Sequence, residues 1–253
     1  MATYKKRGYK PKNKKEEAQL EEMESTTAEV FSTLDESASK TEEWVAKNQN
    51  YILGFISLVA LAVLGYLGYD QFVQKPKELE ATNEMYQAQK YFEQALAGAN
   101  KDSLFTLSLE GAEGKYGFLE IIEKYAGTDA ANVANYSAGI AYLNMNDYEK
   151  AVEYLSEFES DDAILGALAK GGIGDAFSQL GQNAEALDYY ERAASHDQND
   201  LITPRYLFKA GVVAMELGNK DKALALFNKI KDEYPNSEEG RTIDIFIGKV
   251  ENL

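Results

Sequence analysis

The sequence predicts an all-α protein, in which a single N-terminal transmembrane helix is followed by a helical solenoid and a C-terminal capping helix. Three observations support this fold class. One stretch near residue 60 is uncharged and long enough to cross a bilayer, a glycine and alanine spacing recurs three times in the C-terminal half, and a short amphipathic segment ends the chain.

The uncharged stretch, residues 51–69, predicts a membrane span. At about 1.5 Å per residue it covers about 28 Å, close to the thickness of a hydrocarbon core. A cleavable signal sequence is excluded because fifty residues precede the stretch and no Ala-x-Ala site follows it. A soluble amphipathic helix is excluded because no face is polar. We therefore predict an uncleaved transmembrane helix over residues 49–72, with an interfacial aromatic belt formed by Trp44, Tyr51, Tyr66, Tyr69 and Phe72.

The N-terminal tail predicts the orientation of this helix. Tyr4–Lys15 holds seven basic residues and no acidic one. By the positive-inside rule the N-terminus is cytoplasmic, and residues 70–253 lie across a bacterial inner membrane in the periplasm. Residues 1–48 then form a cytoplasmic tail, with a basic arm at 4–15 and an amphipathic, helix-prone segment at 16–48. The arm is either a disordered topology signal or a contact for anionic lipid or ribosomal RNA.

Composition restricts the partners of the large C-terminal region. The chain has 42 acidic and 26 basic residues, and no cysteine. Residues 70–253 alone hold 32 acidic and 17 basic residues, so a nucleic-acid partner is not expected for the periplasmic domain. The missing cysteines exclude disulfides, zinc–thiolate sites and a thiol nucleophile.

Three segments, starting at Asn135, Lys170 and Leu207, align without gaps and predict repeated helical hairpins. A small residue on the first helix lets the second helix approach, an alanine lies at the crossing, and a large residue follows one turn later. Gly181 and Gly218 suit the left-handed end of a first helix, and Asn146–Asp147 turns the chain in the first hairpin. The aligned positions are Gly139, Gly174 and Gly211, then Ala151, Ala186 and Ala223, then Leu155, Tyr190 and Phe227.

This spacing resembles the tetratricopeptide repeat, a helical hairpin of about 34 residues. The resemblance covers three units over residues 132–236. The early Trp of the motif is missing, and Gln198 replaces the closing Pro of the second unit. Upstream, residues 73–131 are predicted to be a linking helix and a degenerate first repeat, with an irregular linker and a short helical piece at 98–114. Residues 237–253 are predicted to be a capping helix.

No pattern in the sequence indicates catalysis. His196 is the only histidine and is expected to be a solvated loop residue, and Gly171–Gly174 lacks the strand and third glycine of a phosphate loop. We therefore expect no enzyme activity, no cofactor, no metal site and no small-molecule substrate.

Two binding surfaces follow from register. The tetratricopeptide resemblance implies a partner-binding groove, although several of its residues could equally belong to the core. The groove residues are Tyr136, Ile140 and Asn144, then Asp175, Ser178 and Gln179, then Arg205, Phe208, Val212 and Met215. On the membrane helix, small residues fall within about 80° of arc, which indicates either a contact face for another transmembrane helix or only the ordinary frequency of Gly in membrane helices. They are Gly54, Ser57, Gly65 and Gly68.

Trp44 and Asn48 precede a single membrane anchor, and an acidic repeat array follows it. The order of these parts resembles the YfgM-like family of inner-membrane proteins. The resemblance spans roughly residues 42–250. It implies a non-enzymatic subunit at the periplasmic side of a SecYEG-type translocon, which binds a membrane-bound PpiD-type chaperone, emerging secretory chains, or both. The alternative is an envelope scaffold for cell division or outer-membrane assembly, because fold alone does not separate these roles.

Overall fold

The computed structural model describes residues 43–98 and 101–252. The described residues fall into two parts, the first ending at Tyr69 and the second beginning at Asp70. The predictions for the basic arm at 4–15 and for residues 16–42 lie outside the described residues.

In the first part, residues 43–69 form an α-helix, α1. Within Glu43–Leu96, an 18-residue window reaches a mean hydropathy of 2.1, and none of that window is buried. Near the start of α1, the Asn48 side-chain amide donates to the Trp44 carbonyl oxygen at 2.8 Å. By length and composition this apolar helix is a candidate membrane span.

The second part opens with a π-helical turn, Asp70–Gln74, and the long helix α2, Lys75–Leu96. The sequence predicted an irregular linker with a short helical piece at 98–114, and a helix of ten residues, α3 (Lys101–Glu110), lies there. It forms because Phe105 and Leu109 are buried on one face, and Phe105 packs 5.9 Å from Phe92. The elements that follow α2 are α3 (Lys101–Glu110), the antiparallel pair β1 (Gly111–Ala112) and β2 (Lys115–Tyr116), and α4 (Phe118–Lys124).

Six helices then form three consecutive hairpins. They are α5 (Asp129–Asn144) with α6 (Tyr148–Ser156), α7 (Leu165–Gln179) with α8 (Asn183–His196), and α9 (Thr203–Glu216) with α10 (Lys220–Glu233). The predicted left-handed turns are confirmed, because Asn146, Gly181 and Gly218 have φ angles of 62°, 72° and 73°. In each turn, the amide of the residue after the left-handed one donates to a carbonyl oxygen in the last turn of the first helix. In the first hairpin, the Asp147 amide donates to the Tyr142 carbonyl oxygen at 3.0 Å.

The glycines of the first helices allow close helix crossing, as predicted. A Cβ atom added at Gly139 would lie 2.5 Å from Leu155 Cγ, and one at Gly174 would lie 2.7 Å from the Tyr190 ring. Gly211 faces the Phe227 ring in the same way. The large residue of each hairpin therefore lies over the glycine of its own hairpin. Tyr190 also stacks on the next hairpin through Tyr206, with ring centroids 6.2 Å apart.

A final helix, α11 (Ile243–Glu251), packs against the last hairpin. Ile243 and Val250 are buried, and the Phe246 ring meets Phe208 edge-on with 4.7 Å between centroids. Residues 237–242, which precede α11, form turns. Covering the apolar end of a repeat array is the role of a capping element.

The start of α5 is capped by α2, which is distant in sequence. The Glu78 carboxylate accepts from the Asp129 and Ala130 amides at 2.7 and 2.9 Å. Lys77 and Gln74 donate to the carbonyl oxygens of the preceding turn, at Ala126 and Gly127, both at 2.7 Å. A negative group at a helix N-terminus accepts hydrogen bonds from the free amides and interacts favourably with the positive end of the helix dipole.

Replacing Glu78 by Ala is expected to lower the free energy of unfolding of the second part by about 1–2 kcal/mol, because two α5 amides lose their acceptor. Faster hydrogen exchange at Asp129 and Ala130 would locate the effect. The matched control is Glu93→Ala, on the same helix and exposed. Equal exchange at both amides in the two variants would contradict the capping role.

Candidate protein-interaction surface

The predicted groove residues all lie on the first helices of the hairpins, α5, α7 and α9. Asn144, Gln179 and Arg205 are exposed. The others are partly buried, namely Tyr136, Ile140, Asp175, Ser178, Phe208, Val212 and Met215. A partner could therefore reach the exposed polar side chains directly, while the partly buried ones offer edges of apolar surface. The assignment of this set as a binding groove stays a prediction.

Asp175 connects three helices through side-chain hydrogen bonds. Its Oδ1 atom accepts from the Tyr190 hydroxyl at 2.6 Å and from Lys209 Nζ at 2.5 Å. These donors belong to α8 and α9, while Asp175 belongs to α7. The carboxylate is thus already engaged inside the array, and its first effect is to fix neighbouring hairpins relative to each other.

Tyr190 and Tyr206 pack beside this hydrogen-bonded carboxylate. Tyr206 lies against Gly171, where any Cβ atom would overlap its ring. Burial, followed by the charge of Asp175, raises the pKa of Tyr206 to about 12. The same two causes, in the same order, raise the pKa of Tyr190 well above its ordinary value. Both phenols therefore stay neutral, and Tyr190 remains a hydrogen-bond donor to Asp175 over the physiological pH range.

Aromatic packing holds two other groove residues. Phe208 contacts the rings of Phe246 and Phe227, with centroids 4.7 and 6.1 Å away. Tyr136 lies 5.1 Å from Phe158, which follows α6. Phe208 thus contributes to the C-terminal core as well as to the predicted groove. A polar substitution there would lower the stability of the fold, so a loss of binding could not be assigned to the groove.

The predicted membrane-helix face lies wholly on α1. Gly54, Ser57 and Gly65 are exposed and Gly68 is partly exposed. Among the residues that the structure describes, no heavy atom lies within 4 Å of a Cβ position built at the three glycines, once neighbouring backbone is set aside. The proposed contact with another helix stays a prediction.

Sequence reasoning placed His196 incorrectly and missed its contacts. His196 is the last residue of α8 rather than a loop residue, and it is partly buried. Its two ring nitrogens lie 3.2 Å from Lys170 Nζ and 3.1 Å from the Asp162 carbonyl oxygen. No local sequence pattern predicts these contacts, because both partners of His196 are at least 26 residues away along the chain. Within residues 43–98 and 101–252, no group of three His, Asp or Glu side chains is arranged to hold a metal ion.

Comparison with known families supports the hairpin architecture. The family model of the tetratricopeptide repeat matches residues 136–200 and, in a second overlapping match, residues 172–238. No curated protein matches the chain with significant similarity.

The chain therefore carries tetratricopeptide repeats in a mostly helical structure, which confirms the predicted fold class. Proteins of this class are repeat scaffolds that bind other proteins and have no catalytic role in the repeats themselves. Tetratricopeptide repeats over residues 136–238 imply a protein–protein interaction role.

Proposed function

We propose that this protein is a non-enzymatic, membrane-anchored adaptor at the periplasmic side of the Sec translocon. Residues 1–48 are its cytoplasmic tail and 49–72 its anchor in the bacterial inner membrane. Residues 73–131 link the anchor to the three repeat units at 132–236, and 237–253 cap the array. Its partners are a SecYEG-type channel and a PpiD-type membrane-bound chaperone, with emerging secretory chains as further clients.

The observation that carries this proposal is the presence, in one chain, of a candidate membrane span and a protein-binding repeat array. The basic arm at Tyr4–Lys15 supports a cytoplasmic N-terminus, and hence a periplasmic array. The YfgM-like order of tail, anchor and acidic array supports the translocon as the location.

The anchor would raise the local concentration of the groove near its membrane-bound partner. A groove of modest affinity, held in the same membrane as its partner, meets that partner at a high effective concentration. Gly54, Ser57, Gly65 and Gly68 would add to this by allowing a neighbouring transmembrane helix to approach α1 closely. The exposed groove residues Asn144, Gln179 and Arg205 would then make the first contacts with the chaperone or the emerging chain.

Purification of the full-length protein from its native membrane in mild detergent tests the location. Recovery of translocon subunits together with a membrane-anchored chaperone is the expected result. Recovery of only cell-division or outer-membrane assembly proteins would overturn the proposal in favour of an envelope scaffold.

The groove is tested by the double substitution Asn144→Arg with Gln179→Arg. Both side chains are exposed, so the fold should be unchanged, while bulk and charge are added to the proposed contact surface. We expect partner capture to fall by about tenfold, as for a central interface position. The matched control is Asn228→Arg with Gln198→Arg, which makes the same changes at exposed positions outside the predicted groove. Equal capture by both variants would show that the groove is assigned to the wrong face.

A further inference from the structure

A small pocket lies between α6, α7 and α8, and it results from the shortness of α6. This helix has nine residues, whereas α8 and α10 each have fourteen. After α6 the chain continues as a loop over residues 157–164. The cavity bounded by this loop, hereafter the α6–α8 pocket, has a volume of about 380 Å³.

The walls of the α6–α8 pocket combine apolar surface with cations. Its apolar lining consists of Leu155, Phe158, Ala169, Ile173 and Tyr189. Lys170, Arg192 and His196 supply the nitrogen-bearing side chains, and the loop adds Glu159 and Asp161, which are exposed at the rim. The Arg192 guanidinium lies 4.5 Å from the centre of the Tyr189 ring, so it is held beside the apolar wall.

The partly buried ammonium of Lys170 contacts a backbone carbonyl oxygen and an imidazole nitrogen. Its Nζ atom donates weakly to the Gly166 carbonyl oxygen at 3.4 Å and lies 3.2 Å from His196 Nδ1. Because the Asp162 carbonyl oxygen can only accept, the proton of a neutral His196 belongs on Nε2, which leaves Nδ1 as an acceptor for Lys170. Lys170 takes part in none of the ion pairs found among the described residues.

Among the described residues no ion pair offsets the charge of Lys170, and the two acidic residues of the pocket, Glu159 and Asp161, are exposed. Burial lowers the pKa of the Lys170 ammonium, and the nearby charge of Arg192 lowers it further. Arg192 pairs with Asp188 of its own helix at 3.7 Å, and both side chains are at least half exposed. A partly buried ammonium that has no ion-pair partner among the described residues, beside a half-exposed guanidinium, favours a bound anion.

We propose that the α6–α8 pocket binds a carboxylate that carries a short aliphatic group. The carboxylate meets Lys170 and Arg192, and the aliphatic group packs against Leu155, Ile173 and Tyr189. Such a group is supplied either by the C-terminal residue of a polypeptide or by a free short-chain acid. This site goes beyond the adaptor role, because it uses none of the predicted groove residues on α7, which are Asp175, Ser178 and Gln179.

Calorimetric titration of the full-length protein in lipid nanodiscs tests this site. The probes are 4-methylpentanoate and N-acetyl-glycyl-leucine, and 4-methylpentanamide is the uncharged control. We expect both acids to bind about tenfold or more tightly than the amide, because a charge-assisted contact to an ammonium is lost in the amide. Empty nanodiscs measure partitioning into lipid, which is subtracted.

Lys170→Met should weaken binding of the acids about tenfold while leaving binding of the amide unchanged. Arg192→Gln should weaken it by a smaller factor, because this side chain is half exposed. Lys220→Met, at an exposed position on α10, is the matched control and should bind as the wild type does. Because Met keeps the length of the Lys stem and removes a desolvated charge, thermal unfolding of Lys170→Met should occur at or above the wild-type temperature.

Equal binding of acid and amide, or unchanged acid binding in a folded Lys170→Met variant, would overturn the proposal. Tighter binding of N-acetyl-glycyl-leucine than of 4-methylpentanoate identifies a polypeptide terminus as the source, and the reverse order identifies a free acid; both orders support a carboxylate site. Neither result decides the adaptor proposal, whose test uses Asn144 and Gln179.

Discussion

Replacing Phe227 by Ala is expected to lower the free energy of unfolding of the C-terminal part by about 3–5 kcal/mol, the range for truncating a fully buried aromatic side chain. Phe227 is 0% exposed. Its ring faces Gly211 on α9 and contacts the rings of Phe208 and Phe246, so it joins the last hairpin to the capping helix. Removing the ring leaves a cavity that three helices line and that rigid helices refill poorly.

Hydrogen exchange and thermal unfolding of the full-length protein in detergent would measure this effect. Amides of α9, α10 and α11 should lose protection first, because in repeat proteins each unit is stabilised mainly by its neighbours. The matched control is Asn228→Ala, the exposed next residue, which should change stability by less than about 0.5 kcal/mol. A similar small loss in both variants would show that the α9–α11 contact is not tightly packed.

A double-mutant cycle isolates the contact between glycine and ring. Gly211→Ala alone should destabilise by about 1–3 kcal/mol, because the new methyl group overlaps Phe227. In the Phe227→Ala background the same substitution should cost much less, since the ring has been removed. Additive losses would mean that the glycine is needed for its backbone rather than for close approach.

The hairpin array was predictable from sequence because its determinants are local and repeated. Gly139, Gly174 and Gly211 recur at nearly constant spacing, and each faces the large residue that the same spacing identifies. The turns were predictable for the same reason. Gly181 and Gly218 take a left-handed conformation at little steric cost, and Asn146 is the side-chain-bearing residue that tolerates it best.

Contacts between distant segments were not predictable. Nothing near Glu78 in sequence indicates that it caps α5, and nothing near Asp175 indicates that Lys209 and Tyr190 will occupy its carboxylate. The α6–α8 pocket depends on where α6 ends, and helix ends are set by the balance of weak terms that a single sequence specifies poorly. For the same reason the sequence could place residues on a predicted groove face but could not separate exposed ones from core-packed ones such as Phe208.

Two arginines at the middle of α1 are expected to remove the protein from the membrane. The substitution is Leu58→Arg with Leu61→Arg, close to the centre of the uncharged stretch 51–69. Of the ten Leu, Ile, Phe and Val residues there, the eight that remain contribute about −2 to −5 kcal/mol to insertion, and two central arginines oppose it by about 5–7 kcal/mol. Both leucines are exposed, at 66% and 70%, so the substitution removes no packing inside the first part. The measurement is the fraction of protein that resists alkaline carbonate extraction.

The control places the same two charges where a membrane would tolerate them. Gln49→Arg with Asn50→Arg adds arginines at the predicted cytoplasmic end of the span, where long cationic side chains reach the headgroups. This variant should stay in the membrane fraction, because its apolar stretch is intact and its charge agrees with the positive-inside rule. Carbonate also releases proteins held only by a basic arm, so residual binding through Tyr4–Lys15 would not imitate insertion. If both double variants resist extraction equally, the protein is held in the membrane by a segment other than α1, and the assignment of α1 as the anchor is wrong.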